Sequence, residues 1–274
     1  MKRASPWSCQ RFGGLPRDLW VLAIYLFLYA PLAAVVVQSC NASRYGTAWT
    51  GFTTRWYQQL LHNEPALQAM ANTLILASAS TVLATVLGTS LACGLSRWRF
   101  PGRDWLERLL PVPVFVPDIL LAVALLLAVV TAQQLGLGLG PGMPAMIVGH
   151  VTFQVPFVTL LVRARLAGLD PALEEAARDL GATGWQSFRH IVLPLLRPAV
   201  AAAALLAFTL SLDDFVVSFF TTGPGATTLP ILIHASVKRG LSPEIHALST
   251  LLILAALVLT LALTALHRKP PIPA

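Results

Sequence analysis

Three carboxylates stand where carboxylates are costly. Asp118, Asp213 and Asp214 lie inside long apolar runs, and an ionisable side chain at membrane depth costs about 2.5–3.5 kcal/mol on insertion scales. Such residues are retained for a use, as part of a solute or ion path or as a charge partner. Aromatic rings interleave with them: Phe208, Phe215, Phe219 and Phe220 surround the paired acids, and Phe153 and Phe157 occupy a neighbouring apolar run. Carboxylates neutralise ammonium groups and ring faces attract them, so acids with aromatics suit an organic cation. Asp118, Asp213, Asp214 and Phe215 are therefore candidate substrate-pathway residues. The plainer reading of the same residues is that the acids cap broken helices or pair with a partner subunit, while the phenylalanines pack against lipid.

Other chemistry finds little support. Cys9, Cys40 and Cys93 are far apart without a CxxC spacing, and the six histidines are scattered without HExxH or an i, i+4 pair, so neither a disulfide framework nor a metal site is expected. An intramembrane enzyme would need a catalytic set such as GxSxG, which is missing, and Asp213 and Asp214 are adjacent instead of converging from separate helices. The Gly-rich stretch at 132–142 lacks GxxxxGK[ST] and reads as a flexible connector, so no nucleotide site is expected in this chain.

The elements that must position the acids follow from composition. The 274 residues are 56% hydrophobic and only 11% charged, more apolar surface than a soluble core of this size can hide. Apolar stretches of about 20 residues, the length that crosses a bilayer, occur at 19–39, 70–94, 106–131, 143–163, 198–222 and 247–266. No period-2 alternation supports a barrel, and unpaired backbone amides are too costly in lipid, so an all-α integral membrane protein of six transmembrane helices is expected. The first run follows a basic flank like that of a signal peptide but lacks a small-x-small cleavage site, and is read as a mature helix. Fifteen Lys and Arg flank the termini and the second and fourth loops, against four in the other three loops. The positive-inside rule then places both ends in the cytoplasm, with residues 1–18 and 267–274 as cytoplasmic segments. The net charge of +7 thus reflects topology, with membrane lipid and no nucleic acid as the expected surroundings. On continuous helices, Asp118 would lie about 18 Å in from Leu106 and Asp213 about 22 Å in from Pro198. Neighbouring residues diverge by about 100°, so one of Asp213 and Asp214 should face the pathway and the other a neighbouring helix. Loop 223–246 carries an apolar patch at Leu229–Ile233 that is a candidate re-entrant segment.

The fourth loop, 164–197, has its own logic. Asp170 and Pro171 start a short helix from Ala172, acidic residues occupy its first turn, and Gly181 ends it. A second amphipathic stretch, Trp185–Leu196, sets Phe188, Ile191, Val192 and Leu195 on one side and runs into the fifth span. Two short helices on the cytoplasmic face make a protrusion suited to docking in a groove, although surface helices in a connecting loop would look the same.

Within that loop, Glu175-Ala176-Ala177, three residues, Gly181, nine residues, then Ile191, Val192, Leu193 and Pro194 reproduce the EAA pattern, EAA-x3-G-x9-I-x-L-P, at every defined position. The chain thereby resembles the permease subunits of binding-protein-dependent ATP-binding-cassette (ABC) importers, and is similar over Trp20–Leu266 to the second permease of spermidine/putrescine-type systems. The stretches 116–126, 206–225 and 228–254 carry that narrower likeness. The resemblance implies a type I ABC importer permease architecture, a bacterial inner-membrane location and an ATPase-coupling role for Glu175, Ala176, Ala177, Gly181, Ile191, Leu193 and Pro194. It also implies the partners: a second permease, non-identical in the favoured reading, two copies of an ABC ATPase carrying ATP and Mg, and an extracytoplasmic solute-binding protein. The cargo it favours is a polyamine, with an aminophosphonate, an opine or ferric iron as alternatives. A proton-coupled secondary carrier using the three aspartates as a relay is the alternative of another class, and such a carrier has no use for an ATPase-docking loop.

Overall fold

The computed structural model describes residues 17–43, 48–239 and 243–267. The segments expected at 1–18 and 267–274 lie almost wholly outside those residues. Every regular element among the described residues is helical. In chain order these are α1 (Arg17–Ser39), α2 (Arg55–Leu61), α3 (Glu64–Arg97), α4 (Arg103–Leu109), α5 (Val112–Phe115), α6 (Asp118–Gln134), α7 (Met143–Ala167) and α8 (Ala172–Asp179). There follow α9 (Gly184–Ser187), a π-helical turn at Phe188–Val192, α10 (Leu193–Asp213), α11 (Val216–Thr221), α12 (Leu229–Arg239) and α13 (Pro243–His267). Four helical stretches are long and apolar enough to cross a membrane: Leu19–Ser39, Glu64–Arg97, Met143–Ala167 and Gly184–Asp213. The bent pair Arg103–Phe115 and Asp118–Gln134 makes a fifth if it forms one span.

The chain divides into two compact units, one of residues Glu64–Ala235 and one built from the two ends of the chain. In the larger unit the packing centre is α3 against α7, with α10 laid on both. Small residues make this possible. Ala77, Ala84, Gly88 and Ala92 line one face of α3 and are all buried, and without large side chains between them two helices approach closely, as membrane helices do when dispersion must replace the hydrophobic drive. A Cβ on Gly88 would stand 2.7 Å from Val158 of α7, and the Thr159 hydroxyl reaches across to the Gly88 carbonyl at 3.2 Å. Ala92, Val158, Val162, Val192, Leu196, Ala203 and Ala207 form the apolar core of this interface.

The 34 residues of α3 run unbroken and are tied at both ends. Near the start, Asn72 donates to the carbonyls of Gly225 and Thr227 at 2.9 and 3.0 Å, and the Thr73 hydroxyl accepts the Leu229 amide at 2.8 Å. At the finish, Arg97 grips Glu174 of α8 at 2.5 Å and lies over the Phe188 ring.

In the smaller unit α1 and α2 pack on α13. Buried Trp56 donates to the Asn41 carbonyl at 2.7 Å, Ser39 meets the Tyr57 hydroxyl at 2.6 Å, and Asn63 donates to Glu244 at 2.8 Å. Apolar side chains of α1 such as Leu22 and Phe27 are exposed on the chain, as suits a helix solvated by lipid.

Two of the expected continuous spans are broken. The stretch 106–131 divides at Val116-Pro117, with 111° between Arg103–Phe115 and Asp118–Gln134. Proline disfavours the α conformation for the residue before it, and Val116 is accordingly extended at φ −72°, ψ 131°. Asp118 is therefore the first residue of α6, not a mid-helix residue about one bilayer half-depth in. The stretch 198–222 divides at Asp214-Phe215, where Asp214 is extended at φ −64°, ψ 121°. The helix leading to that break starts well before Pro198, at Gly184. Residues 223–246 are not a plain loop: Leu229–Arg239 is helical.

Candidate functional site

The break at Asp214 organises the centre of the larger unit. The Asp214 carboxylate turns onto the next helix and accepts from the Ser218 amide at 2.8 Å through Oδ2 and from Val217 at 3.4 Å through Oδ1. It thus satisfies amides that the restart of the helix leaves without carbonyl partners. From α7, His150 Nε2 lies 3.3 Å from Asp214 Oδ2. The imidazole is fully buried, and both nitrogens are engaged: Nδ1 with Ser211 Oγ at 2.7 Å, Nε2 also with Ser218 Oγ at 3.0 Å. A carboxylate only accepts, so Nε2 carries a proton toward Asp214.

The network continues inward. Ser211 meets Ser80 of α3 at 3.3 Å, and Gln154, one turn along α7 from His150, donates to Ser80 Oγ at 3.3 Å and to the Ala207 carbonyl at 2.9 Å. Three long helices and the break are thereby joined by polar contacts in an otherwise apolar interior, where an unpaired group would be costly. Sequence reasoning missed His150, Gln154 and Ser80. The available signal was an ionisable residue in the fourth apolar run with an amide four positions on, on the same helix face.

The two adjacent aspartates point differently, but not through divergence along one helix: α10 ends at Asp213, and Asp214 is extended. Asp214 is turned into the protein, so for this acid the helix-capping reading holds. Asp213, the last residue of α10, is exposed on the chain and makes no ion pair among the described residues. Phe215 is half-buried at the break: its ring centroid lies 4.4 Å from that of His234 and 5.3 Å from that of Phe219, tilted by 34° to each. Asp118 is also exposed, at the start of α6, whose helix packs against α11. No hydrogen bond or ion pair joins Asp118 to the paired acids among the described residues.

The loop 164–197 folds as two helices about a glycine. Asp170 Oδ1 accepts the Ala172 amide at 3.0 Å, and α8 ends where Gly181 takes φ +82°, a left-handed conformation that suits glycine. Thr183 and Gln186 form a reciprocal capping box at 3.3 and 2.8 Å that starts α9. Ala177 is buried, whereas Glu175 and Ala176 are exposed beside Leu180. Ile191, in the π-helical turn, and Leu193 and Pro194, the first residues of α10, are half-buried around the buried Val192. The loop thus presents an acid, a small residue and a leucine outward, and is fastened from behind by Arg97 through Glu174, the neighbour of Glu175.

The sequence profile of the family described as "Binding-protein-dependent transport system inner membrane component" matches residues 84–269. The chain is 43% identical over 250 residues to the spermidine/putrescine transport system permease protein PotC of Escherichia coli (strain K12), covering 91% of this chain and 93% of that protein. It is 42% identical over 243 residues to the putrescine transport system permease protein PotI of the same strain, covering 86% of each. Its fold is similar to that of a chain in a bacterial ABC transporter for import of the acidic polysaccharide alginate, with a TM-score of 0.72, 21% identity and coverage of 93% and 95%.

Proposed function

This chain belongs to the binding-protein-dependent transport system inner membrane component family, and from that premise we propose that it forms half of the membrane pathway of an ATP-driven polyamine importer. The observation that carries the importer role is the outward-facing Glu175 and Ala176 on α8, held from behind by the Arg97–Glu174 pair. The cargo reading is supported by the names of PotC and PotI and by the exposed acids Asp213 and Asp118 with the Phe215 ring. Carboxylates and ring faces together suit a chain with ammonium groups. A proton-coupled carrier is set aside, because the family membership accounts for a docking loop that such a carrier would not need.

In this reading α13 supplies the sixth span and both termini lie in the cytoplasm of a bacterial inner-membrane protein. The chain pairs with a second, non-identical permease, receives its solute from an extracytoplasmic binding protein, and seats α8 on one of two ATPase subunits. ATP and Mg act on those subunits, and no cofactor is held here. Closure of the ATPases draws the two coupling loops together, and the helix bundles rock so that the cavity changes side. Glu175, Ala176, Ala177 and Gly181 shape the docking helix. Ile191, Leu193 and Pro194 root the loop in the start of α10, so that a displacement of α8 is passed to the helix ending at Asp213.

The test is reconstitution of the chain with its companion permease, ATPase and binding protein in liposomes, followed by uptake of labelled putrescine and spermidine. ATP-dependent accumulation of the polyamines, not of sulfate or a neutral sugar, is expected. Accumulation driven by a proton gradient without ATP would overturn the importer reading, and ATP-driven uptake indifferent to polyamines would overturn the cargo.

A further inference from the structure

We propose that His150 is a positioning residue: it reserves Asp214 for the protein and so leaves Asp213 as the carboxylate that meets the cation. This rests on the cation reading above. The argument starts from the cost of the group. A fully buried imidazole inside an apolar helix bundle is retained only if its nitrogens are satisfied, and here they are satisfied by residues on both sides of one helix break. Ser211 precedes the break, and Ser218 and Asp214 follow the end of α10. One rigid ring therefore spans the interruption, and α7 holds the end of α10 and the start of α11 at a fixed separation.

The consequence falls on the two acids. Asp214 receives three donors, the Val217 and Ser218 amides and His150 Nε2, which leaves it little capacity for a solute. Asp213 stands one residue earlier, is exposed, and makes no ion pair among the described residues. Without the imidazole, Asp214 would lose its donor from α7, both serines would lose a partner, and the break could turn. The two acids would then no longer be distinguished. Ser80 and Gln154 brace the same arrangement from α3 and α7, but neither touches an aspartate.

The experiment uses the full transporter in liposomes and reads two quantities separately: ATP hydrolysis stimulated by the loaded binding protein, and putrescine moved per ATP hydrolysed. Asp213→Asn should lower the yield per ATP about tenfold with stimulation intact. His150→Leu should lower it by a similar factor, again with stimulation intact, and the double variant should be no worse than Asp213→Asn alone. His150→Gln, whose amide can donate to Asp214 and accept from Ser211, should stay within about threefold of the parent. A purely structural histidine predicts something else: hydrolysis and uptake falling together with the yield per ATP unchanged, which would overturn the proposal. So would multiplied losses in the double variant. If His150→Leu does not assemble, His150→Asn decides, because its amide is one methylene shorter than that of Gln; equal yields from Asn and Gln overturn the proposal. The two layers fail differently. An unaltered yield in Asp213→Asn sinks the cation reading itself, whereas a loss there with none in His150→Leu sinks only the positioning role.

Discussion

Replacing Gly88 by alanine adds one methyl group at the tightest point between α3 and α7. The new Cβ would stand 2.7 Å from both Cβ and Cγ1 of Val158 and 3.1 Å from the Val155 carbonyl oxygen. Carbon atoms rest at about 3.5–4.0 Å, so the overlap approaches 1 Å. A rotamer change cannot relieve it fully, because Val158 Cβ is fixed by the backbone of α7 and a valine χ1 is stiff in a helix. The helices must separate instead, loosening the contacts around Ala92 and Val162 and lengthening the Thr159 to Gly88 bond. Overpacking of this kind costs about 1–3 kcal/mol, and the upper end is expected because the obstacle is a Cβ and not the tip of a flexible side chain. Partner substitutions sharpen the case. Val158→Ala keeps the Cβ and should rescue little. Val158→Gly removes it and should recover most of the steric loss, apart from about 1 kcal/mol for glycine in a helix. Equilibrium unfolding in mixed micelles with increasing dodecyl sulfate measures all four corners of each cycle. If Gly88→Ala lies within about 0.5 kcal/mol of the parent, or if alanine and glycine at 158 rescue equally, the close-approach argument is wrong.

Three further outcomes are expected. Glu175→Ala should abolish the ATPase stimulation and uptake that depend on docking while membrane insertion and thermal stability stay as in the parent; retained coupling in a liposome assay would count against α8 as the docking helix. Arg97→Gln should free Glu174 and loosen α8 against α3, a partly buried pair worth about 1 kcal/mol, read as faster amide exchange in residues 172–180 with no change in α7. Gly223→Ala should fail to give folded protein at normal yield, because its Cβ would overlap the Pro141 carbonyl oxygen, a backbone atom beside the Gly142 to Thr221 bond of 3.0 Å; normal yield and melting temperature in detergent would refute this.

The helices legible in the sequence were those whose signal is local. The apolar runs at 19–39, 70–94 and 143–163 became α1, α3 and α7, and Asp170, Pro171 and Gly181 marked both ends of α8 because capping and left-handed turns depend on a few neighbouring residues. The breaks were harder, for two different reasons. Pro117 was visible, but a proline in a membrane helix can be accommodated as a kink, and composition alone does not separate a kink from a 111° bend. At Asp214 no proline or glycine interrupts the run. What ends the helix there is a carboxylate that finds the Ser218 amide and, from α7, the His150 ring, and the second of these partners lies 64 positions away in the chain. For the same reason His150 looked like one scattered histidine among six. Its meaning resides in Ser211 and Ser218, which only the fold brings to its two nitrogens.

The unbroken length of α3 bears on how force would travel. At about 1.5 Å per residue, the 25 helical steps from Asn72 to Arg97 span about 37 Å, more than the roughly 30 Å of bilayer hydrocarbon. One end is clamped to α8 through Glu174, and the other to the turn at Gly225–Leu229 through Asn72 and Thr73. The helix interrupted at Asp214 is held across its break by the His150 ring, through side-chain contacts and not through one continuous backbone ladder. α3 has no such interruption, so it is built as a strut: a displacement of α8 would reach the far turn through one continuous helix.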